Sequence, residues 1–129
     1  MEKKIRVAFI YKRSNVFLDL KHYDTTYYHF FMDALKRNEK ISVTYFPSDN
    51  TFDTAKLKGK FDIILLYENW NYNVPDELIG IDNVGIPIIA RCGDFHAVKR
   101  YDIISYHDKY KIDYYFGFNT KKFFHEFYP

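Results

Sequence analysis

The stretch IRVAFIY, residues 5–11, is a continuous run of β-branched and aromatic residues close to the start of the chain. Such a run is typical of a strand that is buried on both faces, as in the interior of a parallel sheet. A polar segment follows at 12–24, and then apolar residues recur every three or four positions, as in a helix. Asp24 or Thr25 is the expected cap of this helix. The beginning of the chain therefore predicts a strand, a loop and a helix.

Strand and helix patterns alternate along the rest of the chain. Four more strands are predicted at 41–46, 61–67, 86–92 and 112–118. Helices are predicted at 53–60, 74–80, 101–111 and 119–128. This alternation favours repeated βαβ units with right-handed crossovers around a parallel sheet. We therefore predict one α/β domain over residues 1–129, a doubly wound, Rossmann-like, mostly parallel five-stranded sheet with helices on both faces.

The composition excludes several classes of protein. The 129 residues carry 19 basic and 17 acidic side chains, which is too balanced for a surface that binds nucleic acid or a membrane through charge. The first apolar run is too short for a signal peptide or a membrane span. Cys92 is the only cysteine, so an internal disulfide is excluded and a cytoplasmic location is expected.

Aromatic residues are unusually frequent, with 13 Tyr and 13 Phe. One interpretation is a residue bias in which rings fill the core and extend onto the surface. The other is an aromatic face that a partner covers or that stacks on ligand rings. We interpret most of the rings as bias and a few as a covered face, through which a homodimer would form.

Ligands of doubly wound sheets bind at the carboxyl ends of the strands, so the residues that follow each strand are the candidates for a site. These candidates are Arg13 and Asn15 after the first strand, Glu68, Asn69 and Trp70 after the third, and Arg91, Gly93, Asp94 and His96 at the end of the fourth.

Asp94 and His96 are the candidates for catalysis. They lie two positions apart, so in an extended segment they point the same way and can share a hydrogen bond. A carboxylate beside an imidazole raises its basicity and fixes its tautomer, as a general base requires. Gly93 allows a sharp turn or a close approach to a ligand. The alternative, which we favour from sequence alone, is that Asp94 caps a helix and His96 is solvated.

The other candidates also have two interpretations. Trp70 would stack on a sugar or base beside Glu68 and Asn69, or it would simply pack over the end of the sheet. The segment KRSN, residues 12–15, would bind an anion, although two cations in a loop are by default solvent-exposed.

Several familiar signatures are missing from the sequence. Neither GxGxxG nor GxxxxGK[ST] follows the first strand, so a standard dinucleotide site or P-loop is not expected. His22 and His29 have no third partner at ligand spacing, so a metal site is not expected either. We predict no metal and no cofactor.

Over nearly its whole length the chain resembles the N-terminal half of a two-domain GT-B fold glycosyltransferase, near the group-1 and spore-maturation CgeB-like families. The segments that carry the resemblance are KIRVAFIY (4–11), YYHFFMDALKR (27–37), FDIILLYEN (61–69), PDELIGIDNVGIPIIARCGDFH (75–96) and the last segment, 101–129. The sequence departs from many group-1 members because KRSN replaces the glycine-rich turn after the first strand.

The resemblance implies an acceptor-binding domain of an enzyme that transfers a sugar from a nucleotide-sugar donor. It implies that Asp94 or His96 is the base or orients the acceptor, and that a second domain, expected beyond Pro129, holds most of the donor. The isolated chain would then lack turnover. The alternative is a stand-alone, non-enzymatic Rossmann-like module that self-associates or binds a partner protein.

Overall fold

The computed structural model describes residues 3–13, 29–66, 74–92 and 109–117. The strands are β1 (Ile5–Lys12), β2 (Ile41–Ser48), β3 (Thr51–Asp53), β4 (Ile63–Leu66), β5 (Glu77–Ile79), β6 (Ile88–Cys92) and β7 (Tyr114–Gly117). The helix α1 spans His29–Arg37, and two short 3-10 helices span Thr54–Leu57 and Ile81–Asn83.

The strands form two sheets, and every pairing between described strands is parallel. The main sheet has the order β2-β1-β4-β6-β7, and β3 pairs with β5 in a separate two-stranded sheet. The α/β class with a parallel sheet is therefore confirmed, and the five predicted strands are the five of the main sheet. The chain first moves outward from β1 to β2 and then returns past β1 to β4, so the strand order reverses between β1 and β4.

The strand β1 is buried on both faces, as its sequence predicts. Ala8 and Ile10 point to one face, whereas Val7, Phe9 and Tyr11 point to the other, and none is more than 5% exposed. Because side chains alternate along a strand, a continuous apolar run supplies two cores at once.

The two faces of the main sheet are covered differently. Leu35 of α1 packs on the face of Phe9. The opposite face, that of Ile10, is covered by residues of the two-stranded sheet and its neighbours, including Phe52, Leu57 and Leu78. In the part of the chain that the structure describes, one α-helix lies on one face, and short 3-10 helices and strands cover the other.

The prediction of a helix at 74–80 is wrong, because this segment contains the strand β5. Val74 and Leu78 are both buried and lie four residues apart, a spacing that also fits a helix. The segment is extended because it pairs with β3, and the Glu77 N–H donates to the carbonyl of Asn50 at 3.0 Å. The partner strand β3 has only three residues, and a sequence pattern this short does not predict a strand.

The helix predicted at 53–60 is present as the 3-10 helix Thr54–Leu57. The Asp53 carboxylate accepts a hydrogen bond from the Ala55 N–H at 3.0 Å and so caps its first turn. Gly59 follows with a φ of 76°, the left-handed conformation expected of a glycine that ends a helix. The expected caps Asp24 and Thr25, the helix at 119–128 and most of the helix at 101–111 lie outside the described residues.

The amino edge of the main sheet is fixed by one ion pair. The Arg6 N–H and Nε donate to Asp62 Oδ2 at 2.8 and 3.1 Å, and Arg6 Nη2 donates to Oδ1 at 3.0 Å. These hydrogen bonds hold β1 to the residues that enter β4, and the Arg6 side chain, followed by the Arg6 N–H, lowers the pKa of Asp62 to about 2. Among the described residues, no helix is both long and apolar enough to cross a membrane.

Candidate functional site

Two of the nine predicted site residues, Arg13 and Arg91, lie in the part of the chain that the structure describes. The remaining seven lie outside it, and their roles stay predictions: Asn15, Glu68, Asn69, Trp70, Gly93, Asp94 and His96. The described residues at the carboxyl edge that bear on the site are therefore those at the ends of β1, β2 and β6.

Arg13 fastens the carboxyl ends of β1 and β2 to each other. Its N–H donates to the Ser48 carbonyl at 2.8 Å, and its Nη2 donates to the Pro47 carbonyl at 3.3 Å. Its Nε lies 3.1 Å from Asp49 Oδ1, and the Arg13 side chain is 59% exposed. An ion pair this exposed contributes little to stability. The default interpretation of Arg13 as a solvent-exposed cation is confirmed.

Lys12, in contrast, is not solvated as a loop cation would be. It is the last residue of β1, its side chain is only 14% exposed, and its Nζ lies 3.2 Å from Asp76 Oδ1. The Tyr110 hydroxyl donates to the Asp76 carbonyl at 3.1 Å and fixes the backbone at Asp76. The default interpretation was wrong for Lys12, because its side chain is mostly covered and its ammonium group pairs with Asp76, 64 residues further along the chain.

Arg91 is buried at the carboxyl end of β6, with 6% of its surface exposed. It lies opposite Phe116 of β7 in the strand register. Residues two apart on a strand share a face, so Arg91 lies on the face of Ile89, which packs with the residues near α1. Arginine is rarely buried without compensation, since removing a charge from water carries a large free-energy cost.

Lys12 and Arg91 flank the end of β4, which lies between β1 and β6 in the main sheet. Two strand spacings separate their backbones by about 10 Å. The two side chains lie on opposite faces of the sheet, because Lys12 shares the face of Ile10 and Arg91 shares that of Ile89. The reversal of strand order between β1 and β4 is next to both residues, and such a reversal is where parallel sheets bind ligands.

A second feature, not predicted from the sequence, lies on the other side of Asp76 from Lys12. Two adjoining cavities of about 470 and 350 Å³ share Ile81, Asp82 and Tyr110, and we call them together the Tyr110 cleft. Their other lining residues are Glu77, Leu78, Ile79, Gly80, Asn83 and Lys109 in the first and Gly85, Ile86, Pro87, Ile88, Lys111 and Asp113 in the second.

Neither Arg13 nor Arg91 lines this cleft. The cleft was missed because one wall contains β5, which the sequence pattern predicted as a helix. The opposite wall comes from residues 109–113, about thirty positions away, and no spacing rule connects the two walls. Within the described part of the chain, no three His, Cys, Asp or Glu side chains come close enough to hold a metal ion.

Comparison with known proteins gives no further guide to the site, since no protein-family model, curated protein or solved structure matches the chain.

Proposed function

We propose that this chain binds an anionic small molecule at the carboxyl edge of its main sheet. The observation that carries the proposal is the low exposure of two cations there, 14% for the Lys12 side chain and 6% for Arg91. Cations held in such places attract carboxylate or phosphate oxygens more strongly than cations in water do. Because Asp76 already pairs with Lys12, a bound anion would share the Lys12 ammonium with that carboxylate. A guanidinium group binds these oxygens with paired hydrogen bonds.

We infer further that the sheet is doubly wound, which would place the site at its reversal point. The path of the chain supports this. The chain passes from β1 to β2 by way of α1 on the face of Phe9, and it returns to β4 by way of Phe52 and Leu57 on the face of Ile10. Crossovers of a single hand must change faces when the chain reverses its direction across the sheet.

The finer proposal is that the anion is a substrate of a sugar-transferring enzyme. It rests on the resemblance to the acceptor-side half of GT-B fold glycosyltransferases, and on the cations, which suit the diphosphate of a nucleotide sugar or an acidic acceptor. In this proposal Asp94 or His96 is the base or orients the acceptor, and Trp70 lines the site. Turnover requires a second domain, and the enzyme acts in the cytoplasm.

Isothermal titration calorimetry of the chain with UDP-glucose, UDP and sodium pyrophosphate tests both levels of the proposal. We expect heat of binding with all three anions, and binding of UDP-glucose only slightly tighter than that of pyrophosphate, because a second domain would hold most of the donor. Lys12→Met and Arg91→Lys should each weaken binding about tenfold, because each removes part of the anion contact. Circular dichroism of each variant verifies that the fold is retained.

Lys40→Met is the matched control, since Lys40 is exposed and lies next to the start of β2, at the opposite edge. It should leave binding unchanged. The anion site is disproved if none of the three compounds binds, or if Lys40→Met weakens binding as much as Lys12→Met. Equal binding of pyrophosphate and UDP-glucose would retain the anion site and reject the nucleotide sugar.

One observation favours the alternative, a non-enzymatic module that self-associates or binds a partner protein. Tyr114 and Phe116 are 64% and 37% exposed, and they lie two residues apart on β7, the last strand of the main sheet as described. They therefore share one face of that strand. Aromatic rings displayed in this way are typical of a surface that another chain covers.

A further inference from the structure

The Tyr110 cleft lies between two separate segments of the chain. One wall is β5 with the 3-10 helix Ile81–Asn83, and the other is the segment Lys109–Asp113 that leads into β7. Its larger cavity, at about 470 Å³, is within the range of sites that hold small molecules. The cleft reaches the amino ends of β6 and β7, and on its other side Tyr110 donates to the carbonyl of Asp76, the ion-pair partner of Lys12. The lining residues of the cleft do not include Lys12 or Arg91.

The two walls differ in charge. Glu77 and Asp82 lie on the first wall. Lys109 and Lys111 lie on the second, which also carries Asp113, whose carboxylate accepts a hydrogen bond from the Ile88 N–H at 2.8 Å. Both lysines, Glu77 and Asp82 are exposed, and none of them forms an ion pair within 4 Å with another described residue. The Tyr110 hydroxyl, and after it Glu77 on the other wall, raises the pKa of Lys109. The two signs of charge thus face each other across the cleft without a direct ion pair, and a ligand that carries both signs would contact both walls.

The cleft also offers apolar surface and a fixed floor. Ile79 is 49% exposed, although it is a large aliphatic residue, and Ile81 is partly buried beside it. Tyr110 is 5% exposed, and its hydroxyl donates to the Asp76 carbonyl at 3.1 Å. A small ligand would gain from burying an apolar side chain here as well as from its charges.

Lys111 has an uncommon backbone conformation at the rim of the cleft. Its φ is 50°, and Lys111 is the only non-glycine residue with a positive φ among those described. It follows the helical residues 109–110, and a left-handed residue is a common way to end a helical turn. This turn sets the direction in which residues 111–113 line the cleft.

We propose that the Tyr110 cleft binds a small zwitterion with an apolar side chain, such as a free aliphatic α-amino acid. The ammonium group of the ligand faces Glu77 and Asp82, and its carboxylate faces Lys109 and Lys111. The apolar side chain of the ligand packs on Ile79 and Ile81. This site does not depend on the proposed function at the carboxyl edge.

Two-dimensional ¹H–¹⁵N NMR of the labelled chain, titrated with L-leucine at millimolar concentration, tests the proposal. We expect shifts confined to residues 77–83 and 109–113. Two blocked probes then test the charges separately: N-acetyl-L-leucine lacks the cation and L-leucinamide lacks the carboxylate. Each should bind about tenfold more weakly than L-leucine, because each loses the attraction of one wall.

Two single-charge variants test the two walls. Lys111→Asn removes the ammonium but keeps a residue that tolerates the left-handed backbone, and Asp82→Asn removes one carboxylate. Each should weaken L-leucine binding about tenfold. Lys58→Gln, an exposed lysine outside the cleft, should not. The proposal is overturned by an absence of shifts in the cleft, by blocked probes that bind as well as L-leucine, or by an equal loss in Lys58→Gln.

Discussion

At the scale of single residues, the exposure and pairing of a charged side chain depend on residues that lie far away along the chain. Lys12 and Arg13 are adjacent cations, yet the side chain of the first is 14% exposed and that of the second is 59% exposed. Arg6 lowers the pKa of Asp62, and this pair joins β1 to the entry of β4. Each of these outcomes depends on a partner more than thirty residues away.

The lowered pKa of Asp62 predicts how the free energy of unfolding depends on pH. Its pKa falls from 3.8 to about 2 in the folded chain, mainly because the Arg6 side chain hydrogen-bonds to the charged carboxylate. Because the pKa is lower in the folded chain than in the unfolded chain, Asp62 stabilises the folded state when the pH is above the unfolded pKa. This contribution is lost as the pH falls towards 2. The Asp62 side chain is 40% exposed, so the effect should be modest.

Urea unfolding between pH 6 and about 2 measures this contribution. Asp62→Asn should be less stable than the wild type at pH 6, and the two should converge as the pH falls. Glu39→Gln, which alters an exposed carboxylate in the turn before β2, should retain the wild-type profile. A constant difference between Asp62→Asn and the wild type at all pH values would contradict the assigned cause.

At the scale of elements, the two-stranded sheet shows how short strands are held by their neighbours. The Thr54 hydroxyl donates to the Ile79 carbonyl at 2.7 Å, which joins the first 3-10 helix to β5. Leu78 is 3% exposed and packs into the core on the face of Ile10. Gly80 then turns the chain out of β5 with a φ of 76°. These contacts make β5 extended despite its helical spacing.

Gly80→Ala should destabilise the chain by about 1 kcal/mol, because alanine resists a left-handed backbone. Lack of space is not the cause, since an added Cβ would lie 3.6 Å from Thr54 Oγ1, an ordinary contact. Gly80→Asn is the matched variant, and it should lose less stability than Gly80→Ala because asparagine tolerates the left-handed conformation better. Thermal or urea unfolding gives the comparison, and equal losses in the two variants would show that backbone strain is not responsible.

At the scale of the whole molecule, the remaining question is whether the chain acts through a ligand or through another chain. The main sheet has one end strand, β2, that α1 packs against and another, β7, that displays Tyr114 and Phe116. Sheet edges are where chains associate unless they are protected. The anion site and the aromatic surface therefore make different predictions for the mass of the molecule in solution.

The alternative function predicts a dimer by light scattering at micromolar concentration. Tyr114→Lys should then give a monomer, because it places a desolvated charge in the interface. Ile79→Lys is the control, since Ile79 is an exposed apolar residue of the other sheet, and it should leave the dimer intact. A wild-type chain that remains monomeric would reject self-association through β7.

The sequence by itself determined the α/β class and the five parallel strands of the main sheet. Continuous apolar runs such as residues 5–11 and 61–67 are typical of strands that are covered on both faces. It also placed Arg91 at the carboxyl edge, because that position follows directly from the end of the fourth run. For Asp94, His96 and Trp70 the predictions stand without a structural test.

Only the tertiary structure decided the pairing of β3 with β5, the ion pair of Lys12 with Asp76 and the existence of the Tyr110 cleft. Each of these arises where segments that are distant in the chain meet, as Thr51 meets Glu77 and Lys12 meets Asp76. Three-residue strands are too short for their own pattern to specify them, and they become stable only through the partner that folding brings beside them. The local pattern contains no information about that partner.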